Sequence, residues 1–146
     1  ATGWKVGYCL GPAHLMKEFR KVHQFTVFSV NTALQHALTA YMLNKENYMG
    51  LSEFYQEKRD YFLRLLAGSK FKFKPATGSY FQLLDYSAIT REKDTDFAVR
   101  LTKQFKVASI PISSFYHEPI DNKLLRFCFA KTNETLEMAA ERLQKV

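Results

Sequence analysis

The sequence predicts an α/β protein, most of which forms an α+β-like unit. Three observations lead to this prediction. Apolar residues recur at the spacing of one helix face in several segments. Other segments are rich in aromatic and β-branched residues bounded by proline and glycine, which is typical of strands. The two kinds of segment mingle along the 146 residues without an internal repeat.

The first third of the chain favours one strand followed by two helices. The opening "ATGWKVGYCLGP" has the period-two alternation of a strand from Trp4 to Leu10. Pro12 suits the first turn of a helix through "PAHLMKEFRKVHQ". Asn31 or Thr32 can cap a second helix through "TALQHALTAYMLNK", and Phe28 lies in the connecting loop.

The remainder of the chain favours alternating helices and strands. A long helix through "LSEFYQEKRDYFLRLLAGS" has Ser52 as a possible cap and Gly68 as its stop. "KFKFKPATGSYFQLLDYS" is typical of a strand, a turn and a second strand, with the phenylalanines of "KFKFK" facing a core. There follow a helix through "DTDFAVRLTKQF", a strand through "VASIPIS", an irregular "SFYHEPIDN", a strand through "KLLRFCFAK" and a last helix from Asn133.

A shift in composition near residues 44 to 50 predicts a domain boundary. Residues 1–45 contain too few elements to close a core, so we expect them to be the incomplete tail of a larger domain. Residues 46–146 contain enough helices and strands for a unit of their own. Because the strand pattern starts almost at Ala1, we also expect that the sequence has been cut from a longer protein.

Charge and composition narrow the function classes. The formal net charge is +7, but most basic residues are interleaved with acids, which is typical of solvated helix faces and argues against nucleic-acid binding. The sequence shows no export signal or apolar membrane span, so we expect a cytoplasmic protein with no membrane partner. Cys9 and Cys128 are far apart and are expected to be buried, reduced thiols. No CxxC or HExxH spacing occurs, so no metal site is expected.

Two basic residues stand on otherwise apolar strand-like segments. Lys5 has small or apolar neighbours, and Arg126 shares one face of its predicted strand with Leu124 and Cys128. A buried charge needs a counter-ion. Each residue could be exposed at the end of a sheet or paired with a carboxylate of the protein. Alternatively, each could bind an anionic ligand, and an arginine binds a carboxylate with two parallel hydrogen bonds.

The segments around these two residues, "ATGWKVGYCLGP" and "KLLRFCFAK", belong to a longer set of ordered motifs. The set also includes "RKVHQFTVFSVNT", "FYQEKRDYF", "GSYFQLLDYSAI" and "VASIPISSFY". Together they resemble class I aminotransferases of the pyridoxal-phosphate (PLP) fold type I superfamily, in particular the methionine/kynurenine-type branch. The resemblance covers essentially the whole chain. It implies a C-terminal small domain with a mixed or antiparallel sheet packed by helices, preceded by one strand and helices of the large PLP-binding domain.

The resemblance also implies an activity, a cofactor and site residues. It implies exchange of an amino group between an amino acid (methionine, aromatic or glutamine-like) and a 2-oxo acid, with pyridoxal 5'-phosphate as cofactor. Lys5 corresponds to a basic residue that contacts the cofactor phosphate, where many members have arginine. Arg126 corresponds to the arginine that binds the substrate α-carboxylate. Phe28 corresponds to a loop aromatic that is lent across a homodimer interface, although it could instead anchor its loop in its own core.

The Schiff-base lysine of the family lies a few residues upstream of the segment that matches Ala1. No lysine of this chain takes its role in the resemblance, so we expect the 146 residues alone to be inactive. By spacing, Tyr80 and Phe81 are more typical of a core than of ligand contacts.

Two other functions stay open at this point. A non-catalytic α+β module could bind an anionic ligand or nucleic acid through the "KFKFK" edge, and would then show salt-dependent binding to oligonucleotides. A degenerate or regulatory relative could have kept the small domain after losing catalysis.

Overall fold

The computed structural model describes residues 2–118 and 120–146. It divides into two compact units, Ala1–Gly50 and Leu51–Val146. The sequence placed a boundary between residues 45 and 46, close to this division. The assignment of the two units to the domains of a larger protein stays a prediction.

The first unit is helical. Its helices are α1 (Ala13–Thr26), α2 (Thr32–Met42) and the short α3 (Glu46–Met49). The Asn31 side chain caps α2 by accepting a hydrogen bond of 3.1 Å from the backbone N–H of Leu34. The two predicted helices and one of the two predicted caps are therefore confirmed.

The predicted opening strand is wrong. A short 3-10 helix occupies Thr2–Trp4, and residues 6–12 belong to no strand. A strand is stable only when a neighbouring strand takes up its backbone hydrogen bonds. The described part of the first unit contains no second strand, so the alternating pattern has nothing to pair with.

The second unit contains three helices and three strands. Its long helix α4 ends before Gly68, whose positive φ of 86° suits a glycine. The helices are α4 (Leu51–Leu65), α5 (Asp94–Arg100) and α6 (Asn133–Leu143), and the strands are β1 (Phe81–Asp85), β2 (Ile110–Pro111) and β3 (Leu124–Cys128). A π-helical turn (Leu101–Phe105) extends α5, and a 3-10 helix (Ile112–Phe115) follows β2.

Three details of the predicted elements are corrected. "KFKFK" forms only an isolated bridge between Lys72 and Asp85, so it is not a sheet edge. "VASIPIS" contributes only two residues to the sheet, because Pro111 has no N–H to extend the pairing and the chain then turns into the 3-10 helix. Ser52 lies inside α4, which begins at Leu51, so it is not the cap.

The sheet is antiparallel, with the order β1-β3-β2. One face of the sheet packs into the core of the second unit. Gln82 and Leu84 of β1 and Leu125 and Phe127 of β3 are buried on this face. The core also takes side chains from all three helices, namely Phe62, Phe97, Ala98, Leu136, Ala140 and Leu143. An antiparallel sheet packed by helices was predicted and is confirmed.

No helix in the described part of the chain is long and apolar enough to cross a membrane. Both cysteines are free thiols. Cys9 is exposed and Cys128 is half-buried, so the expectation that both are buried is wrong for this chain. Cys9 lies in the segment without strand pairing, which leaves its side chain in solvent.

Candidate functional site

β3 places Arg126 on the face of the sheet that is turned away from the core. Arg126 is directly opposite Leu83 of β1 and Ile110 of β2, and opposed residues share a face. Leu83 and Ile110 are 41% and 43% exposed, whereas the alternate residues Leu125 and Phe127 are buried. The predicted alternation of β3 is therefore confirmed. Arg126 itself is half-buried in an otherwise apolar, open surface.

Two aromatic rings lie against the Arg126 guanidinium. Its central carbon is 4.1 Å from the ring centroid of Phe81 and 4.8 Å from that of Phe115. Both distances fall well within the range of cation–π attraction, about 6 Å. Phe81 belongs to β1 and Phe115 ends the 3-10 helix after β2. Because β3 lies between β1 and β2, the two rings come from elements on opposite sides of the strand that carries the arginine.

The Arg126 guanidinium has no anionic or hydrogen-bonding partner among residues 2–118 and 120–146. It forms neither an ion pair nor a hydrogen bond there, and its Nε atom exposes less than 1 Å² to solvent. The structure thus contains no structural salt bridge of Arg126 within its described part. Simple exposure is also excluded, because the side chain is half-buried and its Nε is sealed.

A buried carboxylate fixes the segment that carries Phe115. Asp94, at the start of α5, accepts hydrogen bonds of 2.7 Å from both the backbone N–H and the hydroxyl of Ser113. It also accepts one of 2.8 Å from the backbone N–H of Thr95. Hydrogen bonds to a charged acceptor are among the stronger ones in proteins. The 3-10 helix that ends in Phe115 is therefore tied to α5.

Three side chains hold the loop that leads into β3. Burial acts to raise the pKa of Asp121, but hydrogen bonds from the Lys123 side chain (2.5 Å) and backbone (2.9 Å) outweigh it, so the pKa lies below its ordinary value. Burial, together with Asp121 and other carboxylates, raises the pKa of Tyr86 well above its ordinary value. The backbone N–H of Tyr86 also bonds the Lys123 carbonyl at 3.0 Å. This network keeps Tyr86 neutral and Asp121 charged, and it stabilises the entry to β3.

Lys5 and Phe28 lie in the first unit, whereas Arg126 lies in the second. Lys5 is exposed and follows the 3-10 helix with a positive φ of 56°. Its ammonium forms no hydrogen bond or ion pair with another residue that the structure describes. A Cβ atom added at Gly3 or Gly7 would meet nothing within 4 Å, so the chain on both sides of Lys5 is open.

Phe28 ends the C-terminal turn of α1. Its backbone N–H bonds the His23 carbonyl at 3.2 Å, and its φ of 64° is left-handed, a conformation that usually selects glycine. The side chain is 85% exposed. Phe28 is therefore not anchored in the core of this chain, which was the alternative interpretation of the residue.

The sequence did not identify the aromatic neighbours of Arg126. Phe81 was interpreted as core, but it is half-buried on the open face and contacts the guanidinium. Phe115 lies in a segment that the sequence predicts to be irregular, and its pattern indicates no role. The period-two pattern of β1 could have assigned Phe81 to the face that carries Leu83. The position of Phe115 depends on the order of the strands, which no local pattern contains.

Comparisons with known proteins agree with the fold. The sequence model of the family described as "Aminotransferase class I and II" matches residues 1–143. The chain is 47% identical to methionine aminotransferase from Escherichia coli (strain K12) over 146 residues, covering 99% of this chain and 38% of the relative. It is 32% identical over 167 residues to kynurenine--oxoglutarate transaminase 1 from Rattus norvegicus, covering 99% of this chain and 40% of the relative.

A solved structure is similar as well. The crystal structure of an Escherichia coli protein reported to have a methionine aminotransferase function matches with a TM-score of 0.89 and 46% identity. The match covers 99% of this chain and 39% of that one. The chain thus spans about two fifths of the length of the relatives it matches.

Proposed function

Because the chain belongs to the class I and II aminotransferase family, we propose that it is the C-terminal part of a PLP-dependent aminotransferase. The complete enzyme would exchange an amino group between an amino acid and a 2-oxo acid. Family membership alone does not establish this activity, because the chain spans only about two fifths of the length of its relatives. The resemblance places the cofactor-binding lysine upstream of Ala1, and we therefore expect no turnover by the 146 residues alone.

The observation that carries this proposal is that the Arg126 guanidinium forms no ion pair or hydrogen bond with the residues that the structure describes. Removing a charge from water without a counter-ion costs several kcal/mol. Arg126 is half-buried, with its Nε shielded from solvent and two aromatic rings beside it, so an anionic ligand that bound Nη1 and Nη2 would supply a counter-ion. A planar carboxylate is the ligand that such a pair of donors binds best. Arg126 would then bind and orient the α-carboxylate of the substrate.

The surroundings of Arg126 favour a substrate with an apolar side chain. Leu83, Ile110 and Phe115 are exposed around the guanidinium, so a carboxylate bound there would have apolar side chains beside it. A methionine or aromatic amino acid fits this surface better than a charged one, because its side chain gains by leaving water. This agrees with the relatives, which are named for methionine and kynurenine.

The residues of this chain fit one end of the cofactor. When bound, pyridoxal 5'-phosphate supplies an electron sink for the reacting amino acid. Lys5 is exposed and forms no ion pair with a residue of the described chain, so its ammonium can neutralise a phosphate. A lysine offers a point charge where arginine would offer two directed hydrogen bonds. We assign Lys5 to the phosphate, and no other residue of this chain to the cofactor.

We also propose a homodimer to which Phe28 contributes. An 85% exposed phenylalanine held in a left-handed conformation has no packing partner that would explain it within the described part of its own chain. A partner subunit that covers the ring would provide one. For the location of the protein, two free thiols support a reducing, cytoplasmic compartment.

The test uses the protein at the full length of its relatives, loaded with PLP. Arg126→Ala is expected to lower kcat/KM for methionine about 30-fold or more, the loss that follows when one member of a buried charge pair is truncated. Arg64→Ala, at an exposed arginine of α4, is the matched control and should leave kcat/KM unchanged. Wild-type kcat/KM in Arg126→Ala would refute the proposal, as would PLP-dependent transamination by the isolated 146 residues.

A further inference from the structure

We propose that Phe81 and Phe115 are positioning residues that hold Arg126 with Nη1 and Nη2 turned outward, and so set the affinity for the substrate carboxylate. This inference rests on the proposed role of Arg126 in binding that carboxylate. We call the two rings the aromatic clamp. The clamp contacts only the guanidinium, so neither ring is assigned a catalytic role.

The clamp determines which edge of the guanidinium a ligand can reach. An arginine can present a carboxylate either with Nη1 and Nη2 or with Nε and one Nη. Less than 1 Å² of Nε is accessible, so the second mode is closed. The ring centroids at 4.1 Å and 4.8 Å lie close enough to shield from water the parts of the guanidinium that the rings cover. The carboxylate is therefore bound end-on, by Nη1 and Nη2.

The clamp also takes the place of a counter-ion, since the described residues provide none for Arg126. The face of an aromatic ring is electron-rich and attracts a cation, most strongly where water is excluded. Two rings therefore stabilise the charge without occupying the hydrogen-bonding edge. A protein carboxylate would have neutralised Arg126 and competed with the ligand. This is a physical reason for aromatic neighbours in place of an acid.

The clamp is expected to raise the affinity by fixing the Arg126 side chain before the ligand binds. A free arginine side chain samples many rotamers, and fixing it on binding weakens the complex. Phe81 is held by the β1–β3 register, in which it faces Cys128. Phe115 is held by the two hydrogen bonds between Ser113 and Asp94. Both rings thus belong to elements that are fixed before a ligand arrives.

The experiment measures carboxylate binding to the full 146-residue chain by NMR titration, with 4-(methylthio)butyrate as the probe and the matching alcohol as its neutral control. Phe115→Leu keeps apolar bulk but removes the ring, at a side chain that is 59% exposed. We expect its dissociation constant to rise about three- to tenfold, the range for loss of one cation–π contact. Phe115→Tyr keeps a ring and should bind like wild type.

A matched control is available on α4. Phe54 is 49% exposed and also lies near a cation, with the Lys58 Nζ atom 5.7 Å from its ring centroid. Phe54→Leu should therefore bind the probe like wild type. A second readout is the exchange of the Arg126 Nε–H with water, which should be slow in wild type and Phe54→Leu and fast in Phe115→Leu. Phe81→Leu should act in the same direction as Phe115→Leu.

The outcomes separate this inference from the proposed function. If Arg126→Ala binds the carboxylate as wild type does, the proposed role of Arg126 fails and the clamp fails with it. If Arg126→Ala loses binding while Phe115→Leu and Phe81→Leu keep it, the clamp is overturned and the role of Arg126 stands. Equal weakening in Phe54→Leu and Phe115→Leu would also overturn the clamp, because the effect would then be general loosening.

Discussion

The two units of this chain use similar amphipathic helices with opposite results. In the second unit, α4 and α6 place Phe62, Leu136 and Leu143 in a closed core beneath the sheet. In the first unit, no described residue is buried, and Leu15 and Val22 on the apolar face of α1 are more than half exposed. The second unit has a sheet against which its helices pack, whereas the described part of the first unit has none. An amphipathic pattern tells which face of a helix can be buried, but burial requires a second surface.

The exposed face of α1 has a consequence for a longer protein. Phe25 is 86% exposed, and apolar surface of this kind is normally covered by another domain or subunit. We expect the first unit to reach full packing only when such a surface is present.

Hydrogen exchange should show the largest contrast. Amides in β3 and α6 are expected to exchange at least about a thousandfold more slowly than those in α1, since they open only with the core of the second unit. Mass spectrometry or NMR of the isolated chain measures both sets at once. Equal protection of α1 in a chain shown to be monomeric would contradict the comparison.

Matched phenylalanine substitutions should show the difference in packing between the two units. Phe97 is fully buried and packs on Tyr86 with ring centroids 4.5 Å apart, whereas Phe25 is 86% exposed. Phe97→Ala is expected to lower the free energy of unfolding by about 3–5 kcal/mol. Phe25→Ala should change it by less than about 0.5 kcal/mol. Urea denaturation followed by circular dichroism measures both, and similar losses would mean that the first unit has a core.

Acid should lower the free energy of unfolding of the second unit, because it protonates Asp121. Its pKa is lower in the folded protein than its ordinary value of 3.8, because the hydrogen bonds from Lys123 outweigh the effect of burial. The folded state therefore favours the charged form. This stabilisation is complete above pH 4 or so and is lost as the pH falls through the folded pKa. In Asp121→Asn, the midpoint of urea unfolding should depend less on pH below about 4. An unchanged dependence would exclude Asp121 as its source.

The smallest effect compares two helix caps of the same kind. Asn31 caps α2 in the first unit, and Thr132 caps α6 by accepting a hydrogen bond of 3.3 Å from the Thr135 N–H. Thr132→Ala should lower the free energy of unfolding of the second unit by about 1 kcal/mol. Asn31→Ala should reduce helicity locally and leave that free energy unchanged. A global loss from Asn31→Ala would show that the two units unfold together.

Most helices and the central strand could be predicted from local pattern. The apolar spacing of α1, α4 and α6 and the alternation of β3 depend on near neighbours in the chain, and each of these elements is confirmed. Two of the errors have the same cause. The opening segment and "KFKFK" alternate like strands, but pairing needs a neighbour that local sequence does not specify.

In the candidate site, too, local pattern predicts some features and tertiary packing sets the others. The alternation in the sequence is enough to place Arg126 on the apolar strand β3 and on the face opposite Leu125 and Phe127, because side-chain direction along a strand depends only on its period. The surroundings of the guanidinium depend instead on tertiary packing. Phe81 and Phe115 are separated from it by 45 and 11 positions in the chain and reach it from opposite sides because the strands have the order β1-β3-β2. Strand order follows from packing between distant segments, so no local pattern contains it.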